Sequence, residues 1–169
     1  MHIAHTERLI LRHVVREDAQ FLCRLLNEPS WLQNIGDRGV RTALEAERYI
    51  QDKFIGSYEY LGFGMYLIER KSDGSPMGLC GLVKRGYLPG PDIGFAYLPE
   101  FWGSGYAFEG AAAIMRYSNS GLGLAKLLAI VKSDNVRSVR LLERLGFCAE
   151  GECRVPSTDE LVNLYGAAV

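Results

Sequence analysis

The chain has 169 residues and a net charge of −1, with 48% hydrophobic and 23% charged residues. That balance suits one globular domain over residues 1–169, with a core large enough to stand alone. It excludes a global positive field drawing the chain to nucleic acid or anionic lipid, and no apolar run approaches the ~18 residues of a membrane span.

In chain order, the start Met1-His2-Ile3-Ala4-His5-Thr6-Glu7-Arg8 has no apolar core and no small-residue cleavage site. It is not a signal peptide, and cytoplasm is the expected location. Residues 8–15 (RLILRHVV) read as a first strand. Arg16-Glu17-Asp18 opens a helix whose apolar stripe is Phe21, Leu22, Leu25 and Leu26, and Pro29 ends it. Residues 31–41 are polar and contain glycine, which predicts a loop. In Thr42-Ala43-Leu44-Glu45 the N-cap Thr and the Glu three residues on form a capping box, predicting a helix to about Tyr58.

Strands are then predicted over 63–69, 77–84 and 92–98, separated by the turn signals Ser72-Asp73-Gly74-Ser75-Pro76 and Leu88-Pro89-Gly90-Pro91. An alanine-rich helix over 105–119 is stopped by Gly121-Leu122-Gly123. A buried strand over 125–132 follows. A helix over 135–145, capped by Ser133 or Asp134 and stopped by Gly146, precedes two last strands, 147–155 and 160–168. A strand meander feeding a strand–helix–strand unit implies an α/β, mixed sheet with helices on its faces.

The four cysteines, Cys23, Cys80, Cys148 and Cys153, show no CxxC spacing and read as ordinary reduced thiols. All three histidines lie before residue 14, with no HxH or HxxxH spacing. No metal site is expected, and a base deep in a site falls to a carboxylate or water.

The segment with most chemical content is Trp102-Gly103-Ser104-Gly105-Tyr106-Ala107. A strand ends just before it and a helix starts in it. Glycines there tolerate positive φ and close backbone approach, while free amides and the helix dipole favour an anion. It is not a P-loop, because Gly105-Tyr106-Ala107 stands where Gly-Lys-Ser/Thr is needed. It is not a dinucleotide fingerprint, because Phe108 replaces the third glycine and no acidic residue follows at about 20 residues. By itself the turn is either a phosphate site or a glycine-rich connection without a ligand.

The turn resembles motif A of the GNAT acetyltransferase superfamily, (Gln/Arg)-x-x-Gly-x-(Gly/Ala), with Gly105 and Ala107 matching and Trp102 replacing the first polar residue. Thr6-Glu7-Arg8-Leu9-Ile10-Leu11-Arg12, Asn135-Val136-Arg137-Ser138 and Leu145-Gly146-Phe147 resemble further signatures of the branch that includes the ribosomal-protein alanine N-acetyltransferases. Arg38-Gly39-Val40 and Gly62-Phe63-Gly64 are similar to it as well, so the likeness spans the chain.

The resemblance implies the GNAT acyl-CoA N-acyltransferase fold, a mixed sheet splayed between the strands over 92–98 and 125–132. It implies acetyl-CoA as cosubstrate, pantetheine on backbone groups of Phe95, Ala96 and Tyr97, pyrophosphate on amides from Gly103 to Ala107, and Asn135 and Ser138 beside the cofactor arm. It implies acetyl transfer to an amine, a peptide N-terminus or a small molecule, by direct attack, with the protein a monomer or a homodimer. Asp92 is the candidate base or a strand-capping turn residue. Glu109 is a second carboxylate or a helix-dipole partner. The family's tyrosine proton donor is replaced by Leu142, leaving Ser138 as the hydroxyl nearest sulfur or as a binding and capping residue. Trp31 is a candidate acceptor-site residue. Arg137 and Arg140 are solvated or meet the CoA 3′-phosphate. Two rival readings stay open: a non-catalytic CoA-binding module and a module for another nucleotide.

Overall fold

A computed structural model describes residues 1–169. Eight strands form one sheet: β1 (His2–His5), β2 (Leu9–His13), β3 (Met65–Arg70), β4 (Pro76–Val83), β5 (Asp92–Tyr97), β6 (Lys126–Val131), β7 (Cys148–Val155) and β8 (Glu160–Ala168). Their order is β1-β2-β3-β4-β5-β6-β8-β7. All pairings are antiparallel except β5–β6.

That parallel pairing is short. Only Asp92 and Leu128 face each other in register, and the Leu128 amide donates to the Pro91 carbonyl at 3.1 Å. Beyond that point the two strands diverge, so the sheet is a V closed at Asp92 and open toward Tyr97. The expected splay is present. It is reached by less pairing than a βαβ unit normally makes.

The period-2 alternation of the strands sorts two cores onto the two faces. Tyr66, Ile68, Cys80, Leu82, Ile93 and Tyr97 pack with α5 (Tyr106–Ser120) and with Leu142 of α6 (Val136–Arg144). Leu67, Leu79 and Leu98 pack with α1 (Ala19–Leu26), Trp31 of α2 (Pro29–Asn34) and α3 (Ala43–Tyr49).

Several expectations are corrected. Residues 2–5 form β1, with no strong alternation to announce it; its order comes from pairing His2 with Arg12 and His5 with Ile10. Residues 31–41 are not all loop. Pro29 ends α1 but stands in the first turn of α2, where its missing N–H is no loss. Trp31 is 8% exposed, lies in the core, and donates from its indole to the Gly36 carbonyl at 3.1 Å. It is a packing residue, not a loop residue offered to an acceptor.

The helix after Thr42 starts as predicted: Thr42 Oγ1 accepts from the Glu45 amide at 3.2 Å, and Glu45 accepts from the Thr42 amide at 3.0 Å. It then passes through a π-helical segment, Ile50–Ile55, into α4 (Gly56–Leu61) and stops at Gly62, φ 74°. The cap of α6 is Asn135 itself, whose side-chain oxygen accepts from the Ser138 amide at 3.3 Å; neither Ser133 nor Asp134 fills that place.

Candidate active site

The open end of the V carries the glycine turn. Strand β5 ends at Tyr97, a single 3-10 turn over Pro99–Phe101 leads outward, and α5 begins at Tyr106. Gly103 and Gly105 have φ of 77° and 80°, the left-handed region that other residues enter only with strain. None of the amides of Gly103 through Phe108 donates to a protein acceptor, from backbone or side chain. An uncapped helix start of eight residues or more with a run of free N–H groups is an anion cradle. These donors fit the pyrophosphate of a CoA-type ligand.

The turn is braced on both sides. The Trp102 indole N–H donates to the Tyr97 carbonyl at 2.8 Å, which uses that oxygen and leaves less of the β5 edge free than expected. The guanidinium of Arg137, from α6, sits 3.9 Å from the Trp102 ring centroid. Arg137 is therefore not simply solvated: it links the two arms of the splay by a cation–π contact. Arg144 makes a similar contact with Phe108 at 4.9 Å. Beneath the turn the Tyr97 hydroxyl donates to the Tyr106 carbonyl at 3.4 Å. A Cβ on Gly110 would come within 2.4 Å of that hydroxyl, so only glycine lets α5 lie this close to β5.

Along β5, residues 93–97 pair with β4 on one edge and lack a β6 partner on the other. Phe95 and Ala96 are half-buried there. Asn135 and Ser138 stand across the gap, at the start of α6. The phosphate turn thus follows the free edge of β5, and Arg137 of the second signature reaches it at Trp102.

Asp92 closes the cleft's narrow end. Its carboxylate is 2% exposed, and both oxygens accept from the Arg85 Nε–H, at 3.0 and 3.1 Å. Burial pushes its pKa up to about 6, against the pull of Arg85. The carboxylate is thus ionised at neutral pH but close to a working base range. Arg85 lies in the β4–β5 connection, and Tyr87 beside it has a buried hydroxyl with no hydrogen-bond partner. Sequence reasoning missed Arg85; the signal was a basic residue placed across a hairpin connection from an aspartate.

Glu109 does not simply meet a helix dipole. Its Oε1 accepts from Thr6 Oγ1 at 2.6 Å and from the Arg8 amide at 2.9 Å, and Oε2 accepts from Arg8 Nε at 2.7 Å. Burial opposes ionisation, but these donors prevail and hold Glu109 below the usual carboxylate range. Leu142 is buried, so no hydroxyl reaches the cleft from that position. Cys80 is fully buried and its thiol is pushed far up by desolvation, which removes it as a nucleophile at neutral pH. The remaining cysteines are unpaired.

Known proteins with this arrangement share both its sequence pattern and its fold. The family described as "Acetyltransferase (GNAT) domain" matches residues 8–148. A Bacillus subtilis protein described as uncharacterized N-acetyltransferase YoaA is 30% identical over 155 residues, covering 90% of this chain and 86% of its own. The spermidine N(1)-acetyltransferase of Escherichia coli K12 is 27% identical over 154 residues, covering 88% and 76%. The ribosomal L7/L12 α-N-protein acetyltransferase RimL, solved with coenzyme A, superposes with a TM-score of 0.85 at 21% identity, covering 100% of this chain and 98% of that one. A free-amide turn at the mouth of a splayed sheet, matched by sequence along most of the chain, makes this protein a member of the GNAT family of acetyl-CoA-dependent N-acetyltransferases.

Proposed function

We propose that the chain transfers the acetyl group of acetyl-CoA to a primary amine, a peptide N-terminus or a small molecule, by direct attack in a ternary complex. The observation that carries the reading is the row of free amides from Gly103 to Phe108 at the open end of the V. Acetyl-CoA supplies the activated thioester. Amides from Gly103 to Ala107 hold its pyrophosphate, Trp102 frames the turn, and free backbone groups of Phe95, Ala96 and the Tyr97 amide line the pantetheine path. A β5 N–H polarises the carbonyl that is attacked.

Asp92 is the base in this reading. Its carboxylate is nearly sealed by Arg85, whose own side chain is 30% exposed, so the proton of the amine travels to it through water beside the guanidinium. Ser138, its amide fixed by Asn135, presents the hydroxyl that steadies the leaving sulfur.

Titration calorimetry with acetyl-CoA, followed by thiol release over an amine panel, tests the proposal. The first arms are a polyamine and a ribosomal-protein N-terminal peptide, acceptors of the kinds named for its relatives. Binding with turnover on one arm supports it; no binding at millimolar acetyl-CoA overturns it. A non-catalytic CoA-binding module is the second reading, favoured by the buried Leu142 and the sealed Asp92. Tight binding without turnover over the whole panel selects it. Displacement of acetyl-CoA by ATP would point instead to a module for another nucleotide.

A further inference from the structure

The geometry points to Arg8 as a positioning residue for the cofactor pyrophosphate, acting through the Ser104–Gly105 peptide. The inference rests on the reading that this turn holds the pyrophosphate. Arg8 lies 96 positions before Ser104 in the chain, just ahead of β2. Its guanidinium is nevertheless fixed in three ways. Nε donates to Glu109 Oε2 at 2.7 Å, Nη1 donates to the Ser104 carbonyl at 2.9 Å, and the plane lies 4.3 Å from the Tyr106 ring centroid. Glu109 is itself oriented by Thr6 Oγ1 and the Arg8 amide. Two hydrogen bonds and a ring contact leave the guanidinium little freedom to rotate.

The Ser104–Gly105 peptide needs such a fixture. Turning it over rotates ψ of Ser104 and φ of Gly105, and Gly105 stands at φ 80°. Glycine crosses φ/ψ space at low cost, so the plane of that peptide can turn over without displacing the chain on either side. One orientation presents the Gly105 N–H to an anion; the other presents the Ser104 carbonyl oxygen and repels it. In a trans peptide the C=O and N–H point in opposite directions. By holding the Ser104 oxygen, Arg8 keeps the Gly105 N–H on the side away from itself.

The charge adds a second effect. A cation donating to a carbonyl polarises the whole peptide and makes its N–H a stronger donor. The contact is also close on the other side. A Cβ on Gly105 would lie 3.4 Å from Arg8 Nη2, an ordinary van der Waals approach that puts the side of residue 105 next to the brace.

A structural ion pair between β2 and α5 would stabilise the protein without distinguishing one ligand from another. A positioning role predicts a ligand-dependent effect. The decisive comparison is acetyl-CoA against S-acetylpantetheine, which carries the same thioester and no pyrophosphate. In Arg8→Met, Kd and KM for acetyl-CoA rise by about 10- to 100-fold, the range for losing hydrogen bonds to a charged group. The kcat/KM for S-acetylpantetheine and the KM for the amine stay within about twofold of the parent. Arg8→Lys, which keeps the charge but cannot span Glu109 and Ser104 together, falls between.

Circular dichroism and Tm establish that each variant is folded, and if Arg8→Met does not fold, Arg8→Lys is read by the same ratio. Equal losses for both acyl donors, or unchanged acetyl-CoA affinity in a folded variant, overturn the inference. Failure of the unmutated protein to bind acetyl-CoA overturns the proposed function instead, so the two outcomes are distinct.

Discussion

Two helices start at the open end of the splay, one on each arm, and they are finished in opposite ways. At α6 the Asn135 side chain accepts from the Ser138 amide, a conventional N-cap. At α5 the residue before the helix is Gly105, in the left-handed region, and no side chain caps the free amides that follow. A cap is worth ~1 kcal/mol, and its absence leaves helix-start donors to be satisfied from outside the chain. The contrast identifies the α5 start as the place where the fold accepts lower intrinsic stability in exchange for a ligand surface. The α6 start is built as scaffold around its own signature residues.

The comparison can be broken most forcefully at Gly105. Gly105→Asp puts a Cβ into the left-handed turn and a carboxylate beside the anion cradle, on the side where Arg8 Nη2 lies 3.4 Å from that Cβ. Acetyl-CoA binding is expected to fall by more than about 100-fold in titration calorimetry, from the combined strain at positive φ and the negative charge next to the pyrophosphate. If affinity survives, the open helix start is not the cofactor cradle.

A smaller effect is expected at the closed end of the V. Asp92→Asn is expected to lower kcat by about 10²–10⁴-fold, the range for loss of general-base help, with little change in acetyl-CoA affinity. The pH profile carries the sign. The base works only when ionised, and burial has raised its pKa to about 6. The rate should therefore rise with pH up to about 6 and level off above it. In Asp92→Asn that inflection disappears from the kcat/KM profile. A profile unchanged by the substitution would remove Asp92 from the reaction.

Arg137 tests the bridge between the arms. Arg137→Ala removes the cation over Trp102 and is expected to weaken acetyl-CoA by about 2- to 10-fold, in keeping with a partly exposed cation–π contact. Tighter binding in that variant would mean that Arg137 blocks the cleft rather than framing it. The smallest effect concerns a cap far from the cleft. Thr42→Ala loses the side-chain half of the capping box at α3, the Oγ1 that accepts from the Glu45 amide, while the backbone amide at 42 still donates to Glu45; it is expected to cost ~1 kcal/mol in urea unfolding, with acetyl-CoA affinity unchanged. A shift in affinity there would show that helix starts throughout the chain are coupled to the cofactor site.

What could be read beforehand depends on how local its cause is. The capping box at Thr42 and Glu45 spans four residues, and the glycine turn spans six positions of contiguous chain. Each is a local choice of residues for a local backbone need. The strands 92–98 and 125–132 were legible as apolar runs and their parallel pairing as the need of a strand–helix–strand unit, although its restriction to Asp92 and Leu128 was not. Contacts at long range left no such mark. Nothing around Thr6 and Arg8 announces a carboxylate 101 positions away. Trp31 misled because the polar residues around it describe the chain's solvent side, while the indole turns inward to the second core.

The sequence by itself determined the order of elements, the turn that presents backbone amides, and the absence of a phenol at Leu142, because each follows from residue type at a given place along the chain. Only the tertiary structure decided how far the V opens, which oxygen of the turn Arg8 holds, and that Asp92 lies buried under Arg85. Those depend on distances between segments far apart in sequence, where packing and desolvation set both the geometry and the ionisation of the groups.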